Sequence, residues 1–126
     1  MITLALVDDE PTVRRALRMR LALEPDVEVV GEAGDGAAGL ELIERLQPHV
    51  VLMDVAMPRL DGIAATARVK AVAPRTHVVV LTLHDDSDTR VRAKLAGAVA
   101  LIGKHQCMDD LLAVIRAAGG GADRDA

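Results

Sequence analysis

Val50-Val51-Leu52-Met53-Asp54 is the stretch whose reading decides the fold. Four apolar residues run straight into one acid, and Ala56-Met57-Pro58 follows. An apolar run without polar alternation is what a strand covered on both faces requires, as in a parallel sheet. Asp54 then stands at the carboxyl end of that strand. Open α/β sheets bind their ligands at this edge. Taken alone, Asp54 reads equally well as a helix cap or as the first residue of a turn. The rest of the chain decides between these readings.

Upstream, Ile2–Val7 is a short apolar strand that ends on Asp8-Asp9-Glu10. Pro11 suits the first turn of a helix. A helix over residues 11–24 is compatible with the spacing of Val13, Ala16, Leu17, Leu21 and Leu23, and Arg14, Arg15, Arg18 and Arg20 give it a basic outer face. Pro25-Asp26 breaks it, and Val27–Ala33 reads as a second strand. Gly34-Asp35-Gly36 is a turn, with Asp35 placed to cap a helix over residues 37–46.

Downstream, Pro58-Arg59-Leu60-Asp61-Gly62 opens a helix over residues 63–72, and residues 78–82 form a fourth apolar strand ending on Thr82. Asp85-Asp86-Ser87-Asp88 supplies a cap and first-turn acids for a helix that runs to Ala96 and closes at Gly97. Residues 99–102 form a fifth strand leading into Gly103-Lys104, and a last helix covers residues 108–118. Five strand–helix alternations imply a doubly wound parallel sheet with right-handed crossovers.

The chain has 126 residues, 51% hydrophobic and 27% charged, which describes one globular domain with a real core. A net charge of -4 offers no electrostatic footprint for nucleic acid. With no Phe, Tyr or Trp there is no stacking platform for single strands, and the core is built from Val, Leu, Ile, Ala and Met. One cysteine, Cys107, excludes an internal disulfide and fits a cytoplasmic setting. The first residues, Met1-Ile2-Thr3-Leu4, carry neither a basic leader nor a long apolar segment, so no membrane association is expected.

The strand ends carry the chemistry. They offer Asp8 and Asp9, then Asp54, Thr82 and Lys104. In a parallel sheet these ends share one edge, so the residues can converge. Packed carboxylates repel, and a bound cation relieves them. Oxygen ligands that leave positions for water and phosphate suit Mg²⁺. An ammonium and a hydroxyl beside them suit phosphoryl oxygens. The set points to phosphoryl transfer onto a carboxylate, for which aspartate is a known nucleophile. Singly, Asp8 or Asp9 could cap the first helix, Thr82 could be an ordinary strand residue and Lys104 a solvated lysine. The conjunction is what argues.

This pattern resembles the receiver domain of two-component response regulators, over nearly the whole chain. Met53-Asp54-Val55-Ala56-Met57-Pro58 with Asp61-Gly62 is similar to the family's stretch around its phosphorylated aspartate, and Leu81-Thr82 and Gly97-Ala98 with Lys104 match later landmarks. The resemblance implies a flavodoxin-like (βα)5 fold of strand order 2-1-3-4-5, with residues 1–118 as the receiver and 119–126 as a linker-like tail. It implies that Asp54 accepts phosphate from a sensor histidine kinase. It also implies that Asp9 binds Mg²⁺ directly and Asp8 largely through water. The Ala56 carbonyl becomes a further ligand, and Thr82 and Lys104 hold the phosphoryl oxygens. A phosphorylated homodimer is implied as the active form. Ala56 and His84, each two residues beyond a site residue, are implied to tune phosphate lifetime.

Two departures stand out. The position three residues before the lysine, usually Tyr or Phe, is Leu101, so no ring can swing inward on activation. Lys104 is followed by His105 rather than Pro, as in the branch resembling NarL- and LuxR-type regulators. That branch carries a C-terminal helix-turn-helix domain, so the implied output is transcription through a domain outside this chain. A phosphatase of the haloacid dehalogenase type would need an acid where Ala56 stands. A nucleotide- or flavin-binding module would need G-x-G-x-x-G after the first strand, where Asp8-Asp9-Glu10-Pro11 lies instead. A receiver that only docks partners without phosphorylation remains the third alternative, against which the intact acids argue. Cys107 reads as a packing cysteine, and His49, His77, His84 and His105 show no ligand spacing.

Overall fold

A computed structural model describes residues 1–83 and 86–120 of the chain. His84, Asp85 and the tail 121–126 lie outside the described residues, and with them the expectations placed there. In chain order the elements are β1 (Ile2–Val7), α1 (Pro11–Leu21), β2 (Val27–Ala33), α2 (Gly36–Leu46) and β3 (Val50–Asp54). They continue with α3 (Gly62–Val72), β4 (His77–Thr82), α4 (Ser87–Ala96), β5 (Ala100–Gly103) and α5 (Met108–Gly119).

The five strands form one parallel sheet in the order β2-β1-β3-β4-β5, as the alternation and the resemblance required. Strand β3 is buried at all five positions, which explains its unbroken apolar run. Its side chains alternate between two cores, because successive strand residues point to opposite faces. Val50 and Leu52 join Leu4, Leu6, Val79 and Leu81 in one core, where Leu21, Leu111, Leu112 and Ile115 of α1 and α5 pack. Val51 and Met53 join Val7, Val78 and Val80 in the other, under Ile43, Val69 and Ala93 of α2, α3 and α4. The register aligns the carboxyl ends. Val7 pairs with Met53, Asp54 with Leu81, and Thr82 with Gly103. No described helix is long and apolar enough to cross a membrane.

Boundaries differ from expectation where an apolar residue finds no core. Helix α1 stops at Leu21 instead of running to 24, and Leu23 is exposed. Strand β5 spans 100–103 rather than 99–102; Val99 is exposed, and its N–H donates to the Val78 carbonyl at 2.9 Å. Helix α5 continues one residue further, to Gly119, which is buried beside Ile2. Cys107, expected in the packing, is exposed at the N-cap of α5. The expected caps are present at Asp35, whose carboxylate accepts from Ala38 N–H at 2.8 Å, and at Asp86 for α4.

Candidate functional site

The aligned strand ends place four of the residues singled out above around one hollow. Asp8 lies just past β1, Asp54 closes β3, Thr82 closes β4 and Lys104 follows β5. Asp9 lies beside Asp8 on the exposed rim, whereas Asp8, Asp54 and Thr82 are buried. Carboxylate oxygens of Asp8, Asp9 and Asp54 all lie within 4.8 Å of one another. The Lys104 ammonium donates to Asp8 Oδ2 at 2.9 Å and stands 3.1 Å from Asp54 Oδ1. Asp9, Asp54, Ala56, Thr82, Thr89 and Lys104 line a cavity of about 250 Å³ that opens at this edge.

Backbone packing holds the carboxylates in place. Asp8 Oδ1 accepts from the Glu10 N–H at 2.9 Å, which ties the acid to the start of α1 rather than using it as the helix cap; Glu10 occupies that position. Gly62 N–H donates to the Val55 carbonyl at 2.9 Å and folds the β3–α3 loop back over the strand end. A Cβ at Gly62 would fall 1.8 Å from the Asp54 carbonyl oxygen. Only glycine allows that approach.

The charge balance is unequal. Three carboxylates face one ammonium, a formal excess of two negative charges. Burial pushes the Asp54 carboxyl up from 3.8 to about 6; the charge of Asp8 adds to this, and Lys104 opposes it. For Lys104 burial works against the charge. The hydrogen bond to Asp8 and the charge of Asp54 outweigh it, and its pKa stands above the ordinary lysine value. An all-oxygen set with excess negative charge fits a hard divalent cation such as Mg²⁺.

Some residues of this region had no signal in the sequence. Arg14, read there as part of the basic outer face of the first helix, turns inward. Its Nη1 donates to the Asp8 carbonyl at 2.5 Å and its Nε to Glu32 at 3.3 Å. Arg18 pairs with the same Glu32. Arg116, in the last turn of α5, pairs with Glu24 and Asp26. Thr89, from the first turn of α4, joins the cavity wall without any motif to announce it. Leu101 is half-buried and packs on the α2–α4 side of the sheet. Ala56 is exposed at the cavity wall, and His84 is outside the described residues.

A five-stranded parallel sheet with a cluster of acids and one lysine at its carboxyl edge defines a class of phosphoryl-handling α/β domain. Residues 4–116 match the model of the response regulator receiver domain, and the chain belongs to that family. It is 39% identical to the uncharacterized transcriptional regulatory protein YxjL of Bacillus subtilis over 120 residues, 95% of this chain and 55% of that protein. It is 42% identical over 104 residues to a protein-glutamate methylesterase/protein-glutamine glutaminase of Myxococcus xanthus, 82% of this chain but 30% of that protein. The signal receiver domain of the putative response regulator NarL from Mycobacterium tuberculosis superposes with a TM-score of 0.87 at 35% identity, covering 94% of this chain and 97% of that one. Regulators of the NarL and LuxR type recur among its relatives. The chain spans about half the length of the transcriptional regulators it matches.

Proposed function

We propose that Asp54 accepts a phosphoryl group from the phosphohistidine of a sensor histidine kinase and that the chain acts as a switch, not as an enzyme on an external substrate. A carboxylate oxygen of Asp54 bonds to phosphorus while the phosphorus–nitrogen bond breaks, its electron pair returning to the kinase imidazole. The Thr82 hydroxyl and the Lys104 ammonium hold the phosphoryl oxygens. Asp9 and Asp54, the Ala56 carbonyl and, largely through water, Asp8 would hold Mg²⁺, which when bound offsets the charge gathered between the carboxylates and the incoming phosphate. The observation that carries this reading is the Lys104 ammonium set between Asp8 and Asp54, with three carboxylate oxygens within 4.8 Å of one another.

Phosphorylation adds charge and acceptors at a buried position, and Thr82 moves toward them. Leu101 rules out a ring swing, so the signal passes through shifts of α4 and β5. A groove of about 370 Å³ between them, lined by Ala93, Ala98 and Leu101, gives room for that motion. The output is transcription through a further domain, with residues 1–118 as the receiver and 119–126 leading toward the output, and the phosphorylated form is a homodimer. Relatives named as transcriptional regulators support this reading. The methylesterase match speaks only for the segment it shares.

Intact mass after incubation with acetyl phosphate and Mg²⁺ tests the proposal. Wild type gains one labile phosphoryl group, and Asp54→Ala gains none. Equal labelling of both would overturn it. Followed in time, the same measurement reads phosphate decay, which exchange of Ala56 or His84 changes if these positions tune its lifetime. Light scattering on the labelled sample reads twice the chain mass if the active form is a dimer.

A further inference from the structure

If Asp54 is the phosphoacceptor, the position of the Lys104 ammonium matters to the reaction, and the turn that carries Lys104 is closed by a side chain. Strand β5 is an edge strand that ends at Gly103. On its inner side Lys104 N–H donates to the Thr82 carbonyl at 2.7 Å. On its outer side no strand follows among the described residues. There Gln106 Oε1 accepts from Gly103 N–H at 2.7 Å, and Gln106 N–H donates to the Gly103 carbonyl at 3.0 Å. One residue thus binds both polar backbone groups of Gly103, and Lys104 lies inside the ring so formed. The ring is tight. A Cβ at Gly103 would meet His105 Cε1 at 2.6 Å. The helix that follows gives little help, because Cys107 at its N-cap makes no side-chain capping bond.

We infer that Gln106 is a positioning residue for Lys104: by closing the turn on Gly103 it aims the ammonium at Asp8 and Asp54. This rests on the reading of Asp54 given above. Gln106 is itself exposed, so its exchange leaves the core intact. In the free site the ammonium holds Asp8 and Asp54, two of the carboxylates that would face Mg²⁺, and so competes with the cation. Loss of positioning therefore separates two quantities. Phosphoryl transfer slows, because the ammonium no longer meets the phosphoryl oxygens. Mg²⁺ binding holds or tightens, because its competitor is less well placed. General loosening of the site would weaken both.

The test is Gln106→Met, which removes the acceptor, beside Gln106→Glu, which keeps an oxygen there. Initial rates of phosphorylation by acetyl phosphate are read by intact mass, and Mg²⁺ affinity by titration calorimetry. Gln106→Met should slow phosphorylation about tenfold, the scale of a modest misplacement of a reacting group. It should leave Mg²⁺ affinity equal or higher, and Gln106→Glu should recover most of the rate. An unchanged rate in Gln106→Met, a parallel fall of rate and Mg²⁺ affinity, or a Gln106→Glu no faster than Gln106→Met would each overturn the inference. Failure of the wild type to label Asp54 would instead remove the reading beneath it.

Discussion

At the scale of single residues the site depends on contacts between side chains and backbone. Gly62 shows this most sharply. Its Cα faces the Asp54 carbonyl so closely that an added methyl would sit 1.8 Å from the oxygen. Gly62→Ala must therefore displace either the end of β3 or the start of α3. We expect a loss of about 1–3 kcal/mol, typical of overpacking, together with slower labelling of Asp54. Chemical unfolding and intact mass read the two effects, and a variant as stable and as reactive as wild type would show that the loop yields freely. That Asp8, Asp9, Asp54, Thr82 and Lys104 come together was legible in the sequence because each is a polar side chain at a strand end, and strand ends follow from apolar runs. Arg14 and Gln106 were not, because their partners are the Asp8 carbonyl and the Gly103 N–H. Every residue carries such backbone groups, so nothing in the sequence marks the ones that are used.

At the scale of elements, α4 stands apart. Only Ala93 of its ten residues is buried, while Val91 and Leu95 are exposed. Short helices draw most of their stability from packing, and one buried alanine supplies little of it. The cap then matters more. Asp86 accepts from the Thr89 N–H at 2.7 Å, and Asp88 stands in the first turn. Asp86→Ala should cost about 1 kcal/mol, the usual worth of such a cap. The cost should fall locally, as amide exchange in α4 about fivefold faster with α5 unchanged. Uniform acceleration across all helices would instead make α4 an integral part of the cooperative core. A weakly held helix whose own Thr89 forms part of the cavity wall suits a switch whose strand β5 offers Leu101 instead of a ring. The alternation of elements was readable throughout, since parallel strands need continuous apolar runs and the helices carry their punctuation. Element ends were less so. Leu23 and Val99 look like core residues in sequence, and only the assembled sheet shows that no core reaches them.

At the scale of the whole molecule the acidic hollow acts on global stability. Asp54 titrates near 3.8 in an unfolded chain and at about 6 in the folded, metal-free protein. An acid whose pKa rises on folding binds its proton more tightly in the native state. Its contribution is then favourable at low pH and is lost as pH rises through about 6. The full shift corresponds to at most about 3 kcal/mol, and solvent at the cavity mouth reduces this to roughly 1–2 kcal/mol. Asp54→Asn cannot ionise there. It should exceed the metal-free wild type in stability by about that amount at pH 7.5, with the gap closing toward pH 4. Subtracting the two curves cancels the titration of the other carboxylates. Urea unfolding followed by far-ultraviolet circular dichroism suits the measurement, since the chain has no aromatic residue to report by fluorescence. Millimolar Mg²⁺ should then raise the wild type more than Asp54→Asn, because a ligand stabilises the fold in proportion to its affinity for it. A gap that ignores both pH and Mg²⁺ would mean that Asp54 ionises as freely as a surface carboxylate. The excess charge at the strand ends would then not strain the metal-free fold.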